Sequence, residues 1–108
     1  MQAILPFLST NFPFLPMKPT IRHNEDEQTF YATLDGYEGE LAYSRPSATV
    51  IDFSHTFVDE NLRGRGVADA MAVEALAYAR AQGLRIKTSC AFMQAYVDRH
   101  TDYQDLQA

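Results

Sequence analysis

Between Thr49 and Ser89 the spacing of apolar residues changes twice, and this double change constrains the fold more than any other feature. Thr49–Val58 is rich in β-branched and aromatic residues and reads as a strand. Ideal alternation puts Val50, Asp52, Ser54, Thr56 and Val58 on one side. Ile51, Phe53, His55 and Phe57 fall on the other, and a bulge would break that register. After Gly66 the period lengthens. Val67, Ala68, Met71, Ala72, Ala75, Leu76 and Ala79 recur at i, i+3 and i+4, the stripe of a helix packed along one side. Gly83 is placed to end that helix. Leu84–Ser89 then returns to strand composition. Strand, helix and strand in direct succession predict a βαβ crossover, with two parallel strands and a right-handed connection.

The flanking segments complete an α/β (α+β) chain. Thr29–Leu34 is β-rich and ends in Asp35-Gly36, a strong hairpin signal. Gly39–Tyr43 alternates and is its expected partner. Arg45-Pro46-Ser47 is expected to break that run. The strands before the long helix should form an antiparallel meander. A second, shorter helix is expected over Phe92–Arg99, with Phe92, Tyr96 and Met93 inward. The predicted order is β-β-β-α-β-α, a mixed sheet with a C-terminal helix.

Residues 1–20 stand apart. Pro6, Pro13, Pro16 and Pro19 forbid a continuous helix there. Phe7, Phe12 and Phe14 suggest an apolar extension folded against a domain spanning 21–108. A second expectation is that the functional protein starts at Met17.

The totals exclude several classes. A chain of 108 residues fits one domain. Net charge −5 argues against nucleic acid as the main partner, because phosphate-backbone affinity needs net basic surface. A single cysteine, Cys90, excludes an internal disulfide. With no recognisable signal peptide, a reducing cytoplasm is the expected location. No apolar run reaches the roughly 20 residues needed to span a bilayer. His23, His55, His100 and Cys90 show no metal-ligand spacing, so no metal is expected.

The strongest chemical signal is the turn Arg63-Gly64-Arg65-Gly66-Val67-Ala68 between strand and helix. Glycines let the backbone bend sharply and approach a ligand closely. The helix start behind them offers unpaired N–H groups and partial positive charge, an anion site suited to phosphate. Arg63 and Arg65 add positive charge. A P-loop would need Lys-Ser or Lys-Thr after its last glycine, which is absent. A dinucleotide fingerprint fails at Asp69, which stands in place of the third glycine.

These residues resemble the signature [Gln/Arg]-x-x-Gly-x-[Gly/Ala] of the GNAT superfamily of acyl-CoA-dependent N-acetyltransferases. More narrowly, the chain resembles the small YjdJ-like branch. The further matching stretches include Ile21–Asn24, Asp35-Gly36, Leu41–Tyr43, His55–Val58, Ser89-Cys90-Ala91-Phe92 and Tyr96–His100. The resemblance covers about residues 21–106. It implies a sheet whose parallel strands splay apart around acetyl-CoA. The backbone of Phe57 and Val58 would pair with the pantetheine arm. Arg63, Gly64, Arg65, Gly66, Val67 and Ala68 would hold the diphosphate, and the thioester would point toward Cys90. Larger members carry a proton-donating tyrosine on the last helix, a position that alignment puts at Tyr96 or Val97.

The implied reaction is acetyl transfer from acetyl-CoA to an amine, a protein lysine or a small amine. Direct attack in a ternary complex is one route. Transfer through an acetyl-Cys90 is the other. Composition alone reads Cys90 as a small buried hydrophobe. His55 reads as structural, and Glu25-Asp26-Glu27 as a solvated turn. The expected partners are acetyl-CoA and an amine, without nucleic acid or membrane, in a monomer or weak homodimer. A non-catalytic acyl-CoA-binding module and a small phosphate-binding interaction domain are the alternatives from other classes.

Overall fold

A computed structural model describes residues 18–108. The expectations for the N-terminal extension and for a start at Met17 lie almost wholly outside these residues. The strands are β1 (Thr20–Asn24), β2 (Thr29–Leu34), β3 (Tyr37–Ser47), β4 (Val50–Val58) and β5 (Arg85–Thr88). The helices are α1 (Val67–Ala81) and α2 (Ala91–Arg99), with 3-10 turns at Glu60–Leu62 and Thr101–Leu106. The strands lie side by side in chain order. β1 to β4 are successively antiparallel, and β5 joins β4 in parallel. The meander and the βαβ unit are both present.

β1 is an addition to the predicted order. Its sequence, Thr-Ile-Arg-His-Asn, carries a single aliphatic residue and gives no apolar alternation. Ile21 and His23 nevertheless lie opposite Ala32 and Phe30, on the side that faces the helix. The His23 ring stacks on Phe30 with centroids 3.9 Å apart, and its Nε2 lies 2.7 Å from the Tyr43 hydroxyl. Histidine thus takes a place that a pattern search reserves for a hydrophobe.

Asp35 and Gly36 make the β2–β3 turn with φ of +53° and +82°, and Leu34 pairs with Tyr37 across it. Both central residues are left-handed, as a type I′ hairpin requires. Arg45-Pro46-Ser47 does not end β3. The strand continues to Ser47 through a register shift, and the Arg45 side chain donates to the Val50 and Ala48 carbonyls at 3.2 and 2.9 Å. The predicted break is therefore an irregular strand end tied to its own turn.

The core forms where α1 lies on the sheet. Val67, Met71, Ala72, Ala75, Leu76 and Ala79 are buried along one helix face. They meet Phe30, Leu41, Tyr43, Ile51, Phe53 and Ile86, with Met93 and Val97 of α2 closing the same cluster. Four of the six buried α1 residues are alanine or valine, so the helix can approach the strands closely. Gly39 marks that approach: a Cβ there would stand 3.2 Å from Met71 Cε. The helix ends as expected. Gly83 has φ +68°, its N–H donates to Arg80 O at 3.2 Å, and Leu84 N–H donates to Ala79 O at 2.9 Å. This pair of bonds is a Schellman cap.

Ideal alternation fails in the middle of β4. Tyr43 faces Phe53, but Ala42 faces His55, so Ser54 is an extra residue. Before it, Ile51 and Phe53 are fully buried. After it the inward set shifts to Thr56 and Val58, opposite Leu41 and Gly39, while His55 and Phe57 are exposed. Among the described residues no helix is long and apolar enough to cross a membrane.

Candidate functional site

The site exists because β4 and β5 part. They pair from Val50–Arg85 to Phe53–Thr88. One further rung follows, from Cys90 N–H to Phe53 O at 2.9 Å. β4 then runs on beside β3 alone, while the chain beyond Cys90 turns into α2. The two parallel strands splay around the last residues of β4.

The bulge decides what β4 presents to that gap. Asp59 N–H donates to Glu38 O at 3.0 Å, which sets the phase of the ladder. In an antiparallel pair, alternate residues point their N–H and C=O toward the partner. His55, Phe57 and Asp59 therefore face β3 with their backbone groups, and Thr56 and Val58 face the gap. The open edge carries two N–H and C=O sets, which a ligand strand could pair as a neighbouring strand would.

The upper end of the gap is the glycine turn. The Asp59 carboxylate accepts from Asn61 N–H at 2.8 Å and starts the 3-10 turn that leads into it. Gly64 and Gly66 have φ of +77° and +76°. A Cβ at either would meet no atom within 4 Å, so the requirement for glycine is conformational. Gly66 is the N-cap of α1, and the first helical bond runs from Ala70 N–H to Gly66 O at 3.0 Å. The N–H groups of Val67, Ala68 and Asp69 precede that bond and have no intrahelical acceptor. They border a cavity of about 370 Å³ lined by Val58, Leu62, Arg63, Gly64, Gly66, Val67, Ala68 and Asp69.

Arg65 is missing from that lining. Its guanidinium instead donates to the Asp35 carboxylate at 2.8 Å, in the β2–β3 turn. Arg63 lines the cavity and forms no ion pair among the described residues. Asp69 also lines it, so the first turn of α1 brings one negative charge to the rim.

The lower end of the gap carries Cys90. It is half-buried and stands at the N-cap position of α2, and its Sγ is turned not to the helix but to Thr56 Oγ1, 3.0 Å away. This contact bridges the splayed strands. The end of β5 is held by Asp52, whose carboxylate accepts from Ser89 N–H at 3.1 Å and Ser89 Oγ at 2.8 Å. Asp52 thus holds Ser89, next to Cys90, and Thr56 touches the sulfur itself; sequence reading singled out neither. The signal of Thr56 was hidden because it turns inward only past the bulge.

Tyr96 is buried, its ring stacked on His100 with centroids 4.0 Å apart. Burial raises its hydroxyl pKa, and the charges of Tyr103, Asp69 and Asp102 add to the effect. It does not line the cavity. His100 Nδ1 lies 2.7 Å from Tyr96 O at the end of α2, and Arg99 sits over the Tyr96 ring, so both serve the helix terminus. His55 is exposed on the outer sheet face. Glu25, Asp26 and Glu27 are exposed in the β1–β2 turn, at the other end of the strands from the glycines.

The fold and the cleft define a class: a mixed sheet with a splayed parallel pair, closed at one end by a glycine turn and a helix N-terminus. The GCN5-related N-acetyl-transferase family model matches residues 29–106, and the chain belongs to that family. It is similar to Protein NATD1 of Mus musculus and of Homo sapiens, 29% identical over 79 residues in each case. The match covers 71% of this chain and 72% of the mouse protein, or 70% of the human one. Among solved structures, it is similar to a GCN5-like protein from Staphylococcus aureus determined by NMR. That match has a TM-score of 0.67 and 27% identity, covering 82% of this chain and 87% of that one. Ard1 from Thermoplasma volcanium shares the fold, with a TM-score of 0.57 and 22% identity over 69% of this chain and 55% of that one.

Proposed function

We propose that this chain is an acetyl-CoA-dependent N-acetyltransferase that passes acetyl to an amine, a protein lysine or a small amine. One observation carries the reading. The free backbone edge of Thr56 and Val58 runs between a phosphate-suited helix start and a cysteine. A pantetheine arm has amides that can pair with such an edge, a diphosphate at one end and a thioester at the other. The diphosphate would lie on the N–H groups of Gly66 to Asp69, beside Arg63. The thioester would then lie near Cys90 and Thr56.

Cys90 is the nucleophile we favour. Its thiolate attacks the acetyl carbonyl, the bond to the coenzyme sulfur breaks, and coenzyme A leaves as the thiol after taking up a proton. A neutral amine then attacks acetyl-Cys90, loses a proton, and regenerates the thiol. Thioester exchange conserves bond type, so neither half-step needs an oxidant or a reductant. The Thr56 hydroxyl, 3.0 Å from the sulfur, can hold it in place at the start of α2.

Intact-protein mass spectrometry after incubation with acetyl-CoA tests the scheme on wild type and Cys90→Ala. One added acetyl group, labile to hydroxylamine and absent from the variant, is the expected result. Amine-dependent release of free coenzyme A without that adduct would replace the two-step route with direct attack. Saturable coenzyme A binding with no turnover on any amine would reduce the chain to a binding module.

A further inference from the structure

We infer that Arg65 does not contact the phosphate but braces the glycine turn through Asp35. Asp35, from a separate hairpin, is then a positioning residue for the anion site. The inference rests on the coenzyme A reading of the cleft for its binding assay, but its structural basis is independent.

The turn needs such a brace. Arg65 lies between two residues with φ above +70°, and glycine gives the chain the widest choice of alternatives at both. Within the turn, Arg65 N–H reaches Leu62 O at only 3.3 Å. The guanidinium supplies the missing constraint at 2.8 Å. Its anchor is rigid: Asp35 belongs to a two-residue turn whose strands pair without interruption from Thr29 to Leu34. Every residue from Leu62 to Asp69 except Arg65 lines the cavity. The arginine in the middle of the turn therefore points out of the site, toward the sheet end.

The two readings of Arg65 predict opposite effects at Asp35. A phosphate ligand restrained by Asp35 would be released by Asp35→Ala, and binding would tighten. A brace would fail when either partner is lost. The pair is part-exposed, at 33% and 51%, so its loss should barely move global stability while loosening the turn.

The experiment measures the coenzyme A Kd of the full chain by calorimetry for wild type, Asp35→Ala, Arg65→Ala, the double variant and the charge swap D35R/R65D. Amide exchange of Gly64 to Ala68 is followed in parallel without ligand. We expect each single variant to weaken binding by about twofold to fivefold. The double variant should be no worse than the weaker single one, and the swap should recover part of the loss. Exchange at Gly64 to Ala68 should speed up in both single variants. Tighter or unchanged binding in Asp35→Ala overturns the inference. A wild type that binds no coenzyme A would defeat the cofactor reading; the exchange data would still judge the brace, and unchanged exchange in Arg65→Ala would refute it.

Discussion

Replacing Gly39 by alanine should both destabilise the fold and disturb the anion site, for one geometric reason. Gly39 is buried on β3 beneath the first turns of α1, with a backbone that any residue can adopt. An added Cβ would stand 3.2 Å from Met71 Cε, 3.2 Å from Phe57 O and 3.4 Å from Val67 Cγ1. Carbon contacts are comfortable at about 3.5–4.0 Å, so each neighbour must retreat by a few tenths of an ångström. Met71 can swing its terminal methyl away. The Phe57 carbonyl is held in the β3–β4 ladder, so the strain passes to the helix. Overpacking of this kind costs about 1–3 kcal/mol, and the reduced entropy of the unfolded chain returns about 0.4–1 kcal/mol. A central net loss of about 1 kcal/mol lowers Tm by about 4–8 °C in a domain of this size. Thermal unfolding followed by circular dichroism measures it. Because Val67 is the first residue of α1, the same shift should move the N–H groups of Val67 to Asp69 and weaken coenzyme A binding. A variant with unchanged or higher Tm would refute the packing argument.

Three further outcomes follow from other parts of the molecule. Gly66→Ala should lose about 1–2 kcal/mol to its left-handed backbone and bind coenzyme A more weakly, read by denaturant melts and calorimetry; full retention of both would mean the turn readily adopts another conformation. Thr56→Val removes the hydroxyl 3.0 Å from Cys90, and should slow acetyl-cysteine formation several-fold while costing about 1 kcal/mol of stability or less, measured by timed mass spectrometry and melting. Burial holds His23 below its ordinary pKa of 6.5, against the opposing charge of Glu25. The unfolded chain then takes up a proton that folded His23 resists. Stability should be intact above pH 6.5 and decline as pH falls through the folded pKa, and His23→Phe should flatten that part of a stability–pH curve.

The βαβ unit was legible because each of its parts carries an unmixed local signal: β-branched residues, then a helical stripe, then Gly83. The hairpin at Asp35-Gly36 was legible for a similar reason, since left-handed turns admit few residue types. β1 was not, because its inward residues are an isoleucine and a histidine, and the histidine's partners come from β2, β3 and α1. The glycine turn announced an anion site from its own residues. What those residues could not convey was direction. Gly64-Arg65-Gly66 reads as positive charge at a phosphate, whereas the Arg65 side chain is committed to a residue 30 positions earlier. The roles of Phe57 and Thr56 were exchanged in the same way. The family resemblance implied that Phe57 and Val58 face the ligand, and the ladder phase past the extra residue gives the backbone of Phe57 to β3 and that of Thr56 to the gap.

That extra residue separates two tasks along a single strand. Ile51 and Phe53, before Ser54, bury their side chains fully in the core. Thr56 and Val58, after it, border the cleft and sit about 10 Å or more from Ile51 at strand spacing. The two ends still share neighbours, since Cys90 bonds to both Phe53 O and Thr56 Oγ1 and Val58 packs against the core cluster, so substitutions there are partly coupled. What the extra residue frees is the backbone: one strand offers packed side chains to the core and an unpaired edge to the cleft, provided Ser54 keeps β4 one residue longer than the stretch of β3 beside it.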